Sequence, residues 1–266
     1  MMQPIAEFPA AERAAVDFVL TDIDDTLTSD GILPSASLAA LEELSRAGLK
    51  VIPVTGRPAG WCDHIARMWP VDAVVGENGA FWFAYDRERR KMLSGFAKTP
   101  EERHDDRARL ERLRARILEE VQGSGIASDQ EFRIADLAID YREDVSPLGE
   151  DDVRRIVAMF EEEGATAKVS SIHVNGWFGC YDKLSMARAC LKENFDVDID
   201  DPAVNATIVF LGDSPNDQPM FAFFRNGIGV ANVRNYRLET PPRWITNAPG
   251  AAGFCEAAKL LLEARG

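Results

Sequence analysis

Val19-Leu20-Thr21-Asp22-Ile23-Asp24-Asp25-Thr26-Leu27-Thr28 runs an apolar approach straight into three carboxylates within four residues. Such a stretch has a plain reading, a strand that ends in a solvated acidic turn. It has a second one, because complementary groups stand at the ends of other apolar runs. Thr55 follows Val51-Ile52-Pro53-Val54, and Asp213 and Asp217 follow Ile208-Val209-Phe210-Leu211-Gly212. Crowded carboxylates repel unless something compensates them.

Around this centre the chain reads as strand, helix, strand, helix. Val16 to Leu20 is rich in β formers and suits a strand buried on both faces. A helix is expected from Pro34-Ser35, with Leu38, Leu41 and Leu44 at helical spacing and Gly48 placed to end it. Lys50 to Val54 reads as the next strand, a helix through Ile65 and Met68 follows, and Val71 to Val75 is a third strand. Near the end come a helix from Lys183, strands at Thr207 to Leu211, Ile228 to Ala231 and Trp244-Ile245, and a closing helix from Gly253 to Ala264. This alternation argues for an α/β protein whose doubly wound, mostly parallel, Rossmann-like sheet carries helices on both faces.

The pattern changes after Ala80. Phe81, Phe83 and Tyr85 lead into the basic run Arg87, Arg89, Arg90 and Lys91, read as an exposed hairpin tip. Glu101 to Val121 is helical, with Leu110, Leu113, Ile117, Leu118 and Val121 in one stripe. Phe132 to Tyr141 is strand-like, with a change of phase near Asp136 that suggests a bulge or turn. A second helix carries Val153, Ile156, Val157 and Phe160 to Gly164. Val169 to Val174 reads as a strand, followed by the Gly-bracketed segment Asn175-Gly176-Trp177-Phe178-Gly179. This middle third is expected to be an inserted α+β unit, residues 85–180, between core segments 1–84 and 181–266.

Composition narrows the function. At 266 residues the chain can bury a full core, and 46% hydrophobic and 28% charged residues are ordinary globular values. A net charge of −14 opposes binding to nucleic acid or an anionic membrane, which needs clustered Lys and Arg. No apolar run approaches a membrane span, and Pro4, Glu7, Pro9, Glu12 and Arg13 interrupt the first fifteen residues where a secretory signal would be apolar. Cys62, Cys180, Cys190 and Cys255 form no CxxC pair, so reduced thiols in a cytoplasmic protein are expected. Oligomeric state is not written in the sequence.

In a doubly wound sheet, ligands sit beyond the carboxyl ends of the strands, where Asp22, Thr55 and Asp213 are expected to converge. Hard oxygen ligands with few histidines point to Mg²⁺, which bridges carboxylates to phosphates. Lys183 and Thr55 then face the remaining phosphate oxygens, a set suited to phosphoryl transfer. Other patterns fall short. Gly227-Ile228-Gly229 lacks the third Gly of a dinucleotide loop, Gly212-Asp213-Ser214 lacks the second Gly of a nucleophile elbow, and an EF-hand from Asp22 would need Glu where Leu33 stands.

These residues resemble the motifs of the haloacid dehalogenase superfamily, in the subclass of Cof-like sugar phosphatases with a large α/β cap. Asp22-Ile23-Asp24-Asp25-Thr26-Leu27 matches DxDx[TV]L, Thr55 in Val54-Thr55-Gly56-Arg57 the second motif, and Lys183 the third. Gly212-Asp213-Ser214-Pro215-Asn216-Asp217 matches the fourth. Asp25 and Leu184 stand where many relatives have Gly. The resemblance implies a phosphatase acting on a small phosphorylated metabolite, a sugar phosphate or sugar-bearing ester, through an aspartyl phosphate. Asp22 is the implied nucleophile and Asp24 the acid and base, with Thr55 and Lys183 completing the catalytic set. Mg²⁺ is implied at Asp22, the Asp24 backbone carbonyl and Asp213, with Asp217 binding through water or orienting Lys183. Gly56, Arg57, Asn78 and Asn216, with His173, Asn175 and Trp177 of the cap, are substrate-binding candidates. Four of them have a structural alternative: capping or a salt bridge for Arg57 and Asn78, a satisfied strand position for His173, core packing for Trp177. Two other functions use the same parts, a phosphomutase and a noncatalytic phosphoacceptor of the receiver type.

Overall fold

A computed structural model describes residues 2–170 and 172–265. In chain order the first part comprises β1 (Gln3–Pro4), α1 (Ala10–Ala14), β2 (Phe18–Thr21), α2 (Ser35–Arg46), β3 (Lys50–Pro53), α3 (Ala59–Met68), β4 (Val74–Gly76), β5 (Phe81–Asp86) and β6 (Lys91–Phe96). Then follow α4 (Pro100–Glu120), β7 (Gly125–Ile126), β8 (Leu137–Asp140), α5 (Glu150–Glu162), β9 (Thr166–Val169) and β10 (His173–Trp177). The last part holds α6 (Lys183–Phe195), α7 (Pro202–Asn205), β11 (Ile208–Gly212), α8 (Gln218–Phe223), β12 (Asn226–Gly229), β13 (Trp244–Ile245) and α9 (Gly250–Glu263).

Six strands form the core sheet in the order β1-β13-β12-β11-β2-β3, every neighbouring pair parallel. Successive residues of a strand point to opposite faces, and the core divides accordingly. Val19, Val51, Val209 and Leu211 pack with Leu41, Leu44 and Phe254 on one face. Leu20, Ile52, Ile208 and Phe210 pack with Met186, Leu191 and Met220 on the other. Both faces are covered by helices, so the central strands read as unbroken apolar runs. β4 joins beyond β3 through a parallel bridge between Val54 and Val75, and it pairs antiparallel with the hairpin β5-β6. The chain is thus an α/β protein with a parallel core sheet and an inserted antiparallel cap. Among the described residues, no helix is long and apolar enough to cross a membrane.

The cap sheet runs β7-β8-β10-β9, all antiparallel. Leu137, Ile139 and Val174 face α4 and α5, meeting Leu113, Ile117, Ile156 and Phe160. Gly176 shares that face, where a Cβ would stand 2.0 Å from the Phe160 ring. Alternation therefore turns His173, Asn175 and Trp177 toward the core.

Several expectations change. Leu38 and Leu118 are exposed, and the buried side of α2 is Ser37, Ala40, Leu41 and Leu44 instead. The strand expected over Phe132 to Tyr141 shrinks to Leu137–Asp140, and Phe132 is 56% exposed. The reason is hydrogen bonding: the N–H groups of Ile134, Ala135 and Asp136 go to the Glu77 carboxylate rather than to a strand. Val169 to Val174 is not one strand. Val169 ends β9 and His173 begins β10, with Ser170 N–H donating to the His173 carbonyl across the junction. Asn175 to Trp177 belong to β10, not to a turn. Residue 171 of that segment, Met1 and Gly266 lie outside the described residues.

Candidate active site

Parallel register puts the ends of β2, β3 and β11 on one rim. Leu211 pairs with Thr21 and Thr21 with Pro53, so Asp22, Thr55 and Asp213 follow almost side by side. Asp22 N–H donates to the Leu211 carbonyl and Thr55 N–H to Val75. Carboxylate oxygens of Asp22, Asp213 and Asp217 lie within 4.8 Å of one another. Lys183 reaches them from the other side of the chain's insertion. A capping box, with Asp182 accepting from Ser185 N–H, starts α6 at Lys183. The Lys183 Nζ donates to Asp22 Oδ1 at 2.6 Å and to Asp217 Oδ1 at 2.7 Å. Asp217 Oδ2 accepts from Asp213 N–H. Gly212 permits this approach, since a Cβ there would stand 2.4 Å from that oxygen.

The charge does not close. Among the described residues, Lys183 supplies the ion-pairing cation of this cluster, against three buried carboxylates. Burial, only partly offset by Lys183, pushes the Asp22 carboxyl up to about 8. Burial and then Asp22 and Asp217 push Asp213 up to about 9. Burial works against the Lys183 ammonium, but Asp217 and Asp22 outweigh it and hold it protonated. An all-oxygen, electron-rich and uncompensated donor set fits a hard divalent cation such as Mg²⁺.

Beside this cluster Arg57 grips Asp24. Its Nε donates to both carboxylate oxygens at 3.0 Å and its Nη2 to Oδ1 at 2.8 Å. The same guanidinium lies over the Trp61 ring and within 3.7 Å of Asp129 and 3.9 Å of Glu143, both from the cap. Thr55 is fully buried, its Oγ1 accepting from Arg57 N–H. Gly56 packs on the Asn78 amide, where a Cβ would come within 3.1 Å. Asn78 and the preceding Glu77 both take left-handed backbone, with φ of 54° and 43°. Non-glycine residues adopt it only when their surroundings impose it.

A cavity of about 30 Å³ lies between these groups, lined by Asp22, Asp24, Gly56, Arg57, Asn78, His173, Asn175, Asp213 and Asn216 among others. It shares Asp24, Arg57, Ser170 and Asn216 with an outer chamber of about 790 Å³ walled by Tyr141, Glu143 and Tyr236. Lys183 and Thr55 stand behind this surface. Trp177 is set apart from it: its indole N–H donates to the Tyr181 carbonyl and its ring stacks on Tyr181, so it packs the junction. His173 is 2% exposed, and its Nε2 lies 2.9 Å from the Glu143 carboxylate without the alignment of a hydrogen bond. Burial and then Arg133 push this imidazole down to about 4, so it is neutral. Asn175 donates to Asp136.

Sequence reading did not single out Glu77, Asp129, Arg133, Glu143 or Asn232. Arg133 forks between Asp129 and Asp136 and donates to the Gly56 carbonyl, tying the cap to the second motif. The phase change near Asp136 was its only trace in the sequence. Glu77 accepts from the backbone of Ala59 in the core and of Ile134, Ala135 and Asp136 in the cap.

A family model of haloacid dehalogenase-like hydrolases matches residues 19–100. No curated protein sequence matches the chain. Among solved structures, Thermoplasma acidophilum 0175 is 17% identical with a TM-score of 0.70, the likeness covering 94% of this chain and 99% of that one. The C-terminal domain of trehalose-6-phosphate phosphatase from C. albicans is 15% identical with a TM-score of 0.70, covering 96% and 95%. The sucrose-phosphatase of Synechocystis, solved with sucrose and phosphate, is 17% identical with a TM-score of 0.62, covering 92% and 97%. At such identities the likeness is one of fold. Four motifs gathered on one rim of that fold, with the family match across the first two, make the chain similar to the haloacid dehalogenase-like hydrolases.

Proposed function

We propose that this protein is a Mg²⁺-dependent phosphatase that cleaves a sugar phosphate or sugar-bearing phosphate ester through an aspartyl phosphate. The observation that carries the reading is Asp22, whose carboxylate faces a cavity while Lys183 holds one of its oxygens and two further carboxylates crowd it. An Asp22 oxygen bonds phosphorus and the ester P–O bond breaks. Asp24 gives its proton to the departing alkoxide oxygen, then takes one from water as that water attacks phosphorus and the Asp22–phosphorus bond breaks. Arg57 grips both Asp24 oxygens in this structure, a grip that must loosen for Asp24 to carry a proton. Asp22, Asp213 and Asp217, with the Asp24 carbonyl, would hold Mg²⁺, which would supply positive charge against the phosphoryl oxygens. Lys183 bridges Asp22 and Asp217, Asn216 on the cavity wall serves the phosphate, and the buried Thr55 hydroxyl supports the Arg57 backbone behind that wall.

The leaving group is read from the cap. Neutral His173, the Glu143 carboxylate and Asn175 offer hydrogen bonds rather than charge complementarity, which suits a hydroxylated leaving group. The fold likeness to sucrose and trehalose-6-phosphate phosphatases agrees with that chemistry. The test is release of inorganic phosphate from a panel of sugar phosphates with Mg²⁺ present. Release that exceeds that from aryl phosphates supports the proposal. Isomer interconversion without release would make the enzyme a mutase, and no turnover of any ester would leave it a phosphoacceptor.

A further inference from the structure

Asn232 follows β12 in the short turn Ala231–Asn235 and uses every hydrogen-bonding atom of its amide. Its Nδ2 donates to Asp213 Oδ2 at 2.9 Å and to the Asp25 carbonyl at 3.1 Å. Its Oδ1 accepts from Gly250 N–H at 3.0 Å. A carboxylate and a carbonyl on one side and an N–H on the other admit one amide orientation only.

Each partner belongs to a different piece of the rim. Asp213 follows β11, and Asp25 turns the first motif in left-handed backbone with φ of 55°. Gly250 opens α9, whose next N–H, of Ala251, donates to the Thr28 carbonyl of that same first loop. The Lys183 ammonium ion-pairs with Asp22 and Asp217 but not with Asp213. Asp213 is therefore held by a neutral donor, which fixes the rotation of the carboxylate without cancelling its charge.

We propose that Asn232 is a positioning residue of the cation site, holding Asp213 and the Asp25 turn in the arrangement that a divalent ion requires. The proposal rests on the reading of Asp22, Asp213 and Asp217 as a Mg²⁺ site. An amide suits this place better than its alternatives. A carboxylate there would repel Asp213, and a lysine would neutralise it.

The experiment titrates Mg²⁺ into the full-length, metal-stripped protein and follows heat by calorimetry and the thermal midpoint in parallel. Outer-shell partners of ligands typically contribute 10- to 100-fold to metal affinity. Asn232→Ala is expected to weaken Mg²⁺ binding by about that factor, and the near-isosteric Asn232→Asp by at least as much. With p-nitrophenyl phosphate at saturating Mg²⁺, kcat is expected to return to within a few-fold of wild type with KM unchanged. Mg²⁺ affinity equal to wild type in a folded Asn232→Asp protein overturns the proposal, as does a lower kcat that saturating Mg²⁺ does not restore. Wild type that binds no Mg²⁺ by either readout ends the cation reading itself, and the role of Asn232 with it.

Discussion

Two groups of buried carboxylates lie close together in this molecule and are treated in opposite ways. At the core-cap junction, Asp129 and Asp136 share the Arg133 fork, and Glu77 takes N–H bonds from four backbone amides. On the rim, Asp22, Asp213 and Asp217 have one ammonium, one side-chain amide and the backbone N–H groups of Asp213 and Ser214 between them. In the first group the protein supplies hydrogen-bond partners to every carboxylate, although burial raises Glu77 as far as Asp22, and the group joins two sheets. The second is left with negative charge to spare, and it faces a cavity. Buried charge is structural where the chain supplies its partners and functional where it withholds them.

The largest effect that sharpens this contrast is expected from Asp22→Asn. Steady-state phosphate release should fall by at least about 10⁴-fold, as for other enzymes stripped of a nucleophile. Thermal stability should not fall, because the change relieves crowding. A variant that keeps its turnover would remove Asp22 from the chemistry. Next comes Arg133→Met, which leaves Asp136 buried without its cation and Asp129 with only the longer pair to Arg57. Breaking a buried pair costs about 3–5 kcal/mol, so urea denaturation should shift by that order. A shift below about 1 kcal/mol would show this group to be as open to solvent as a surface pair.

A smaller effect is carried by pH. Burial and then Asp136, opposed by Arg133 and the amides, push the Glu77 carboxyl from 4.5 up to about 8. The folded chain thus keeps a proton that the unfolded chain releases in this interval. That part of the stability is complete below about pH 4.5 and is lost as pH rises through about 8. Glu77→Gln should flatten the decline in denaturation free energy between about pH 5 and pH 9, and an unchanged slope would assign it to other groups. The smallest effect belongs to Trp177→Phe. Loss of the bond to the Tyr181 carbonyl should cost about 1 kcal/mol with KM unaltered, and a raised KM would return Trp177 to the substrate.

The rim was legible because its signals are local: an apolar run buried on both faces, then an acid or a threonine, repeated at β2, β3 and β11. The junction was not. Glu77 reads as one polar residue in a Gly-rich turn, and nothing near it announces that residues 134–136 will spend their N–H groups on its carboxylate. The same long-range bonding turned Arg133 to Asp136 from expected strand into loop. Asn232 was hidden for a related reason, since its three partners come from the first motif, the fourth and the start of α9. Leu38 shows the converse limit: helical spacing was right, but the face is chosen by what α2 packs against.

Gly176 gives the cap a stiff side and a yielding one. With only hydrogen on that residue, the Phe160 ring seats directly on the backbone of β10, so the strand bearing His173 and Asn175 has no slack behind it. Under the proposed function, a bulkier ester would find its room in the outer chamber walled by Tyr141, Glu143 and Tyr236. Changes of substrate range should therefore be sought among the residues of that chamber.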